Sequence, residues 1–176
     1  MGIPPGYGFK QLLFSTAANA LVVQTQSAGK NWRPERLYFR SINSDKYSAI
    51  GEPGDLVSQE CPFAHPSKPL VAYNCLKHRF SVDARGEERH GAEWDSLTLY
   101  NLESGVALDL INPDTLTLPN GIVSGWIATI VGYSDAGLFV QAGLSKDGSR
   151  TDYVVAELSV LHHSLKPIVT LPATFM

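Results

Sequence analysis

Cysteine is scarce in this chain: Cys61 and Cys75 are the only two among 176 residues. A disulfide framework is thereby excluded, and two thiols suit a reducing compartment. An excess of positive charge is missing as well. Fourteen Lys and Arg stand against 17 Asp and Glu, a formal net charge of -3 with a pI near 5.9, which argues against a basic footprint for nucleic acid or an anionic membrane. No run approaches the roughly 18 apolar residues that a membrane helix needs. The opening MGIPPGYGFKQLL lacks the basic-then-apolar order of a secretory signal. These absences lead us to expect a cytoplasmic chain folded as one domain over residues 1–176, with no membrane or nucleic-acid partner.

Helical patterning is also lacking. No window of 12 or more residues carries a clean apolar stripe, and Val155 to Leu165 reads equally well as two strands and a polar turn. What is present is a series of short runs rich in Val, Ile, Leu, Tyr and Phe, such as Leu21 to Gln24, Leu70 to Tyr73, Leu97 to Leu102 and Leu138 to Ala142. Between them lie INSDK, GEPGD, HPSKP, LPNG, SDAG and SKDGS, segments in which Gly, Asn or Asp accepts positive φ and Pro presets φ. The pattern predicts an all-β fold.

The runs recur. At a constant offset of 60, Leu37, Phe39, Ile42 and Ile50 fall on Leu97, Leu99, Leu102 and Leu110; a further shift of 56 places Tyr153, Val155 and Leu158 on the first three of these. A hairpin repeats at Phe14 to Val23, Phe63 to Ala72 and Val131 to Val140, offset by 49 and then 68. Three four-stranded units follow, over approximately residues 8–52, 56–111 and 121–172. Offsets of 60 and 49 differ by 11, so the second unit carries 11 extra residues within NCLKHRFSVDARGEERHGAEWDS. Insertions in a repeat map to loops, and a charged loop is expected there.

These units resemble blades of a β-propeller of the TolB-like and WD-repeat type. The residues that carry the resemblance are Phe63, His65-Pro66-Ser67-Lys68 and Leu70-Val71-Ala72-Tyr73, then Tyr133-Ser134-Asp135-Ala136-Gly137-Leu138, and the polar turn Asn101-Leu102-Glu103-Ser104-Gly105. A β-sandwich or barrel with evenly spaced hairpins is the alternative. Propellers close with typically 4 to 8 blades, so three blades imply half of a six-bladed ring closed by dimerisation, blade three of each copy on blade one of the other. In such families the loops joining second to third strands share a face, commonly the binding face. The resemblance thus groups Arg85, His90 and Trp94 of the inserted segment with Trp32, Arg33, Asp114 and Lys146 as candidate binding residues. Aromatic and Arg side chains are frequent anchors of recognition surfaces. A homodimeric, non-catalytic protein recognising a protein or small polar ligand is the first expectation. The alternative is a hydrolase or lyase using His90 and Glu93 or neighbouring carboxylates.

Other constellations are weaker. Cys61, His65, Cys75 and His78 are zinc-ligand types, but Cys61 and His65 lie roughly 13 Å apart on one extended strand, too far for metal bonds of about 2.0 to 2.3 Å; no metal is expected. A hairpin around Lys68 can set Cys61 opposite Cys75 within bridging distance, or leave two buried thiols. Gly132-Tyr133-Ser134-Asp135-Ala136 approaches a nucleophile elbow without the helix that should follow it. No phosphate-cradling loop or dinucleotide fingerprint occurs, and no cofactor is expected.

Overall fold

The computed structural model describes residues 3–28, 33–51, 54–111, 118, 126–146, 149–159, 161–162 and 164–172. Among the described residues, twelve strands form three antiparallel four-stranded sheets. Sheet 1 holds β1 (Tyr7–Ser15), β2 (Ala20–Ser27), β3 (Arg36–Ser41) and β4 (Ser48–Ala49). Sheet 2 holds β5 (Val57–Ala64), β6 (Leu70–Val82), β7 (Glu88–Asn101) and β8 (Val106–Ile111). Sheet 3 holds β9 (Trp126–Ser134), β10 (Gly137–Lys146), β11 (Ser149–Ser159) and β12 (Ser164–Pro172). Each is a meander in chain order, none closes into a barrel, and there is no helix among the described residues. The barrel alternative is therefore excluded.

Turn chemistry sets the hairpins. At the β7–β8 turn the Asn101 side chain accepts from the N–H groups of Glu103 and Ser104, and Gly105 takes φ +72°, a value costly for a residue with Cβ. In β5 a bulge interrupts the register between Glu60 and Phe63, with Cys61 at φ +49°. The bulge leaves Gln59 opposite Cys75, so the strand pair does not oppose the two cysteines; both are free thiols.

The sheets stack in series through two cores. Between sheets 1 and 2 lie Val22, Leu37, Ile50, Val71, Tyr73 and Tyr100; between sheets 2 and 3 lie Ala72, Leu97, Leu99, Val140, Val154 and Ala156. Successive strand residues point to opposite faces, which explains why Val71 through Cys75 are all buried: the middle sheet is covered on both sides. Gln59 joins sheets 1 and 2 as well, accepting from the Leu37 N–H (2.9 Å) and donating to the Ile50 carbonyl (2.6 Å).

Among the described residues no further sheet packs on the outward sides of sheets 1 and 3, although Val23 and Tyr38, on the outward side of sheet 1, are 0% and 9% exposed. Leu13 and Val22 face sheet 2, so their neighbours Leu12 and Phe14 point away from it; Leu12 is 62% and Phe14 49% exposed. On sheet 3, Val154 and Ala156 face sheet 2, while Val155 with its partner Val169, and Tyr153 with its partner Leu171, lie on the other side, where Tyr153 is nonetheless buried. Val169 and Leu171 are 44% and 41% exposed. These apolar residues lie on surfaces that a neighbouring sheet would cover.

Candidate functional site

The segment expected as a charged loop is instead a continuous two-stranded ribbon. β6 and β7 pair without interruption from Lys77 opposite Glu93 to Val82 opposite Glu88. The tip is closed by Asp83, whose carboxylate accepts from the N–H groups of Arg85 (2.8 Å) and Glu87 (3.1 Å), while Gly86 takes φ +79°. β5 ends opposite Lys77, and β8 opposite Leu97. The ribbon is thus an arm that extends beyond the four-stranded body by roughly 20 Å, at about 3.4 Å per residue.

Its two faces differ. One carries the ion pairs Arg79–Glu93 and Arg89–Asp83, the latter at 2.7 Å. The hydrogen bonds from Arg89, Arg85 and Glu87 hold the Asp83 carboxyl below the usual carboxylate range. The other face carries His78, Phe80, Val82, Glu88 and His90. The rings stack in sequence, Phe80 on His90 with centroids 4.7 Å apart and His90 on His78 at 5.0 Å. Phe80 is 51% and Val82 67% exposed, and with Ser81 and Glu88 they line an open concavity of about 360 Å³.

At the root of the arm the imidazoles connect to the body. His78 Nδ1 lies 2.9 Å from His90 Nε2, and His78 Nε2 lies 2.7 Å from Ser58 Oγ, which also accepts from the Glu35 N–H. The Glu35 carboxylate in turn takes Lys10 Nζ at 2.7 Å and the Gln24 side-chain amide. Burial foremost, with His90 beside it, holds His78 below the usual histidine value. The order Ser58, His78, His90 is that of nucleophile, base and orienting group. Ser58, however, is only 1% exposed. The chain of bonds anchors the arm.

A second junction joins sheets 2 and 3. His65 Nδ1 accepts from the N–H groups of Ser67 and Lys68, its ring meets Tyr133 edge-on at 4.6 Å, and Ser67 bonds Asp135 across the gap. Ser134 sits in the β9–β10 hairpin and accepts from the Ala136 N–H, a turn contact. Glu60 and Cys61 lie near Lys10 and Glu35; burial raises the pKa of both.

Of the residues singled out from sequence, His90 lies on the Phe80 face, and Arg85 at the exposed tip. Glu93 pairs with Lys77 on the opposite face, so His90 and Glu93 do not converge. Trp94 pairs through its backbone with Leu76 at the root of the arm. Arg33 is on the β2–β3 connection, its guanidinium 5.7 Å from the Tyr7 ring centroid and bonded to the Pro5 carbonyl. Lys146 ends β10 opposite Ser149. Trp32 and Asp114 lie outside the described residues. Among the described residues no three His, Cys, Asp or Glu side chains group as metal ligands. Sequence reasoning assigned no binding role to Phe80, Val82 or His78; the alternation of His78, Phe80 and Val82 was the available signal. No protein-family profile, curated protein or solved structure matches the chain.

Proposed function

We propose that this chain is a non-catalytic binding protein: three blades of a six-bladed β-propeller, completed by a second copy, that recognises its ligand with the arm. The observation that supports recognition is the asymmetry of the arm. Its ion-paired face is satisfied by its own residues, whereas Phe80 and Val82 present apolar surface around a concavity. Solvent gives no reason to keep such surface in water.

The ring reading draws on equivalent facing. Leu37, Leu97 and Tyr153, related by the offsets of 60 and 56, each point toward the side where a following sheet would lie; Leu37 and Leu97 meet one there, and Tyr153, also buried, lies on the side of sheet 3 away from sheet 2. Leu12 and Phe14 look toward the side where a preceding sheet would lie. The exposed apolar residues Leu12 and Phe14 on one side and Val169 and Leu171 on the other are alike in kind, and a second copy placed head to tail covers both.

Panning a random peptide phage library on the immobilised protein tests the assignment of recognition to the arm. The wild type should enrich a recurrent peptide class, and the double variant Phe80→Ser, Val82→Ser should not. Enrichment indifferent to that double variant overturns the assignment.

A further inference from the structure

The Phe80 face has a charge preference built into it. On the opposite face Arg79 and Arg89 are each neutralised by a carboxylate of the arm. On the Phe80 face the carboxylate is Glu88, which lines the concavity and makes no ion pair among the described residues. A half-exposed aromatic ring beside an unneutralised carboxylate is a combination that favours a cation, through the ring quadrupole and direct charge attraction. The volume of about 360 Å³ is at the low end of ligand sites and accommodates one long side chain.

The backbone adds a second preference. From Arg79 outward the arm has no third strand on the β6 side, and from Glu88 to Ser96 none on the β7 side, among the described residues. A two-stranded ribbon is marginally stable alone, and open strand edges accept an added strand.

We propose that the arm binds an extended segment of a partner protein and seats a lysine or arginine side chain of that segment between Phe80 and Glu88. This rests on the reading of the arm as the recognition element, and it names the guest. The Coulomb term selects the cation, and strand addition selects an extended polypeptide over a free amine.

Three fluorescein-labelled heptapeptides test it by anisotropy against the full chain at low salt: alternating Lys and Val, alternating Glu and Val, and alternating Ser and Val. The Lys peptide should bind at least tenfold more tightly than the other two. Glu88→Gln, at an exposed position, should weaken the Lys peptide about tenfold, and Glu88→Lys should reverse the order of the Lys and Glu peptides. Raising the salt to 0.5 M should weaken binding of the Lys peptide. Equal or tighter binding of the Glu peptide, or no change in Glu88→Gln, overturns the cation assignment. Displacement of the Lys peptide by free n-butylammonium at the same concentration as the peptide overturns the extended-segment assignment. The outcome stays separate from the broader reading: if a peptide of another charge binds and Phe80→Ala abolishes it, the arm remains the recognition element and only the guest named here is wrong.

Discussion

Nδ1 of His78 lies 2.9 Å from Nε2 of His90. Two N–H groups cannot share one hydrogen bond, so at least one of these imidazoles is neutral in the folded arm. Since His78 also reaches Ser58 Oγ at 2.7 Å, the contact links the exposed ribbon to the buried edge of β5.

Acid should therefore weaken the fold. His78 is held below the usual histidine value by burial and by His90, and His65 is held down by burial and by Lys68. The unfolded chain takes up these protons near pH 6.5, so it binds more protons than the folded chain as pH falls, and stability declines. The full contribution is present above about pH 6.5 and is lost on acidification through the lower folded values. Melting followed by circular dichroism should give a midpoint that is level from pH 8 to 7 and drops from 6.5 to 5. In His78→Gln the drop should be shallower, with the His65 part remaining. A midpoint that rises on acidification contradicts the assignment.

Gln59 should prove costly to remove. Gln59→Leu conserves the size of the side chain but leaves the Leu37 N–H and the Ile50 carbonyl without the partners they have now. At about 1 to 3 kcal/mol for each of the two buried groups left unsatisfied, urea denaturation should report a loss of roughly 2 to 6 kcal/mol. A loss below about 1 kcal/mol would mean that water reaches these groups.

Closure by a second copy predicts a mass of twice 19.2 kDa by light scattering. Leu12→Lys places a charge on the outward surface of sheet 1, and Val169→Glu places the opposite charge on that of sheet 3. Each single variant should run near 19.2 kDa, and the double variant should recover some of the dimer. A wild-type monomer removes the second copy as the occupant of these surfaces.

The thiols should differ in reactivity. Cys75 is buried and Cys61 half-buried, and burial foremost raises the pKa of both, lowering the thiolate fraction available for attack. With Ellman's reagent at pH 7.5, Cys61 should react slowly and Cys75 only after denaturant is added. Rapid stoichiometric labelling of two thiols in the native protein would contradict the packing of β6.

Alternation and turn chemistry made much of the fold legible. Runs such as Leu21 to Gln24 and Leu97 to Leu102 bury one or both faces of a sheet, and burial of apolar side chains is what periodicity reports. Turn residues such as Asn101 and Gly105 act within a few positions of themselves, so they too can be read locally. The arm was not legible as strands. ARGEERHGAEWD has no apolar alternation, and its strands are held by a backbone ladder and by pairs such as Arg79–Glu93, to which hydrophobic patterning is blind.

The sequence by itself determined that the chain is all-β, where its turns fall and that it carries an inserted polar segment. Tertiary structure alone decided which side chains of that segment meet. A bulge at Asp95 shifts the register, from Cys75 opposite Ser96 to Leu76 opposite Trp94. A one-residue slip in strand register exchanges the two faces of every residue beyond it. Without the bulge, His90 would lie on the face opposite His78 and Phe80, and the ring stack and its concavity would not form.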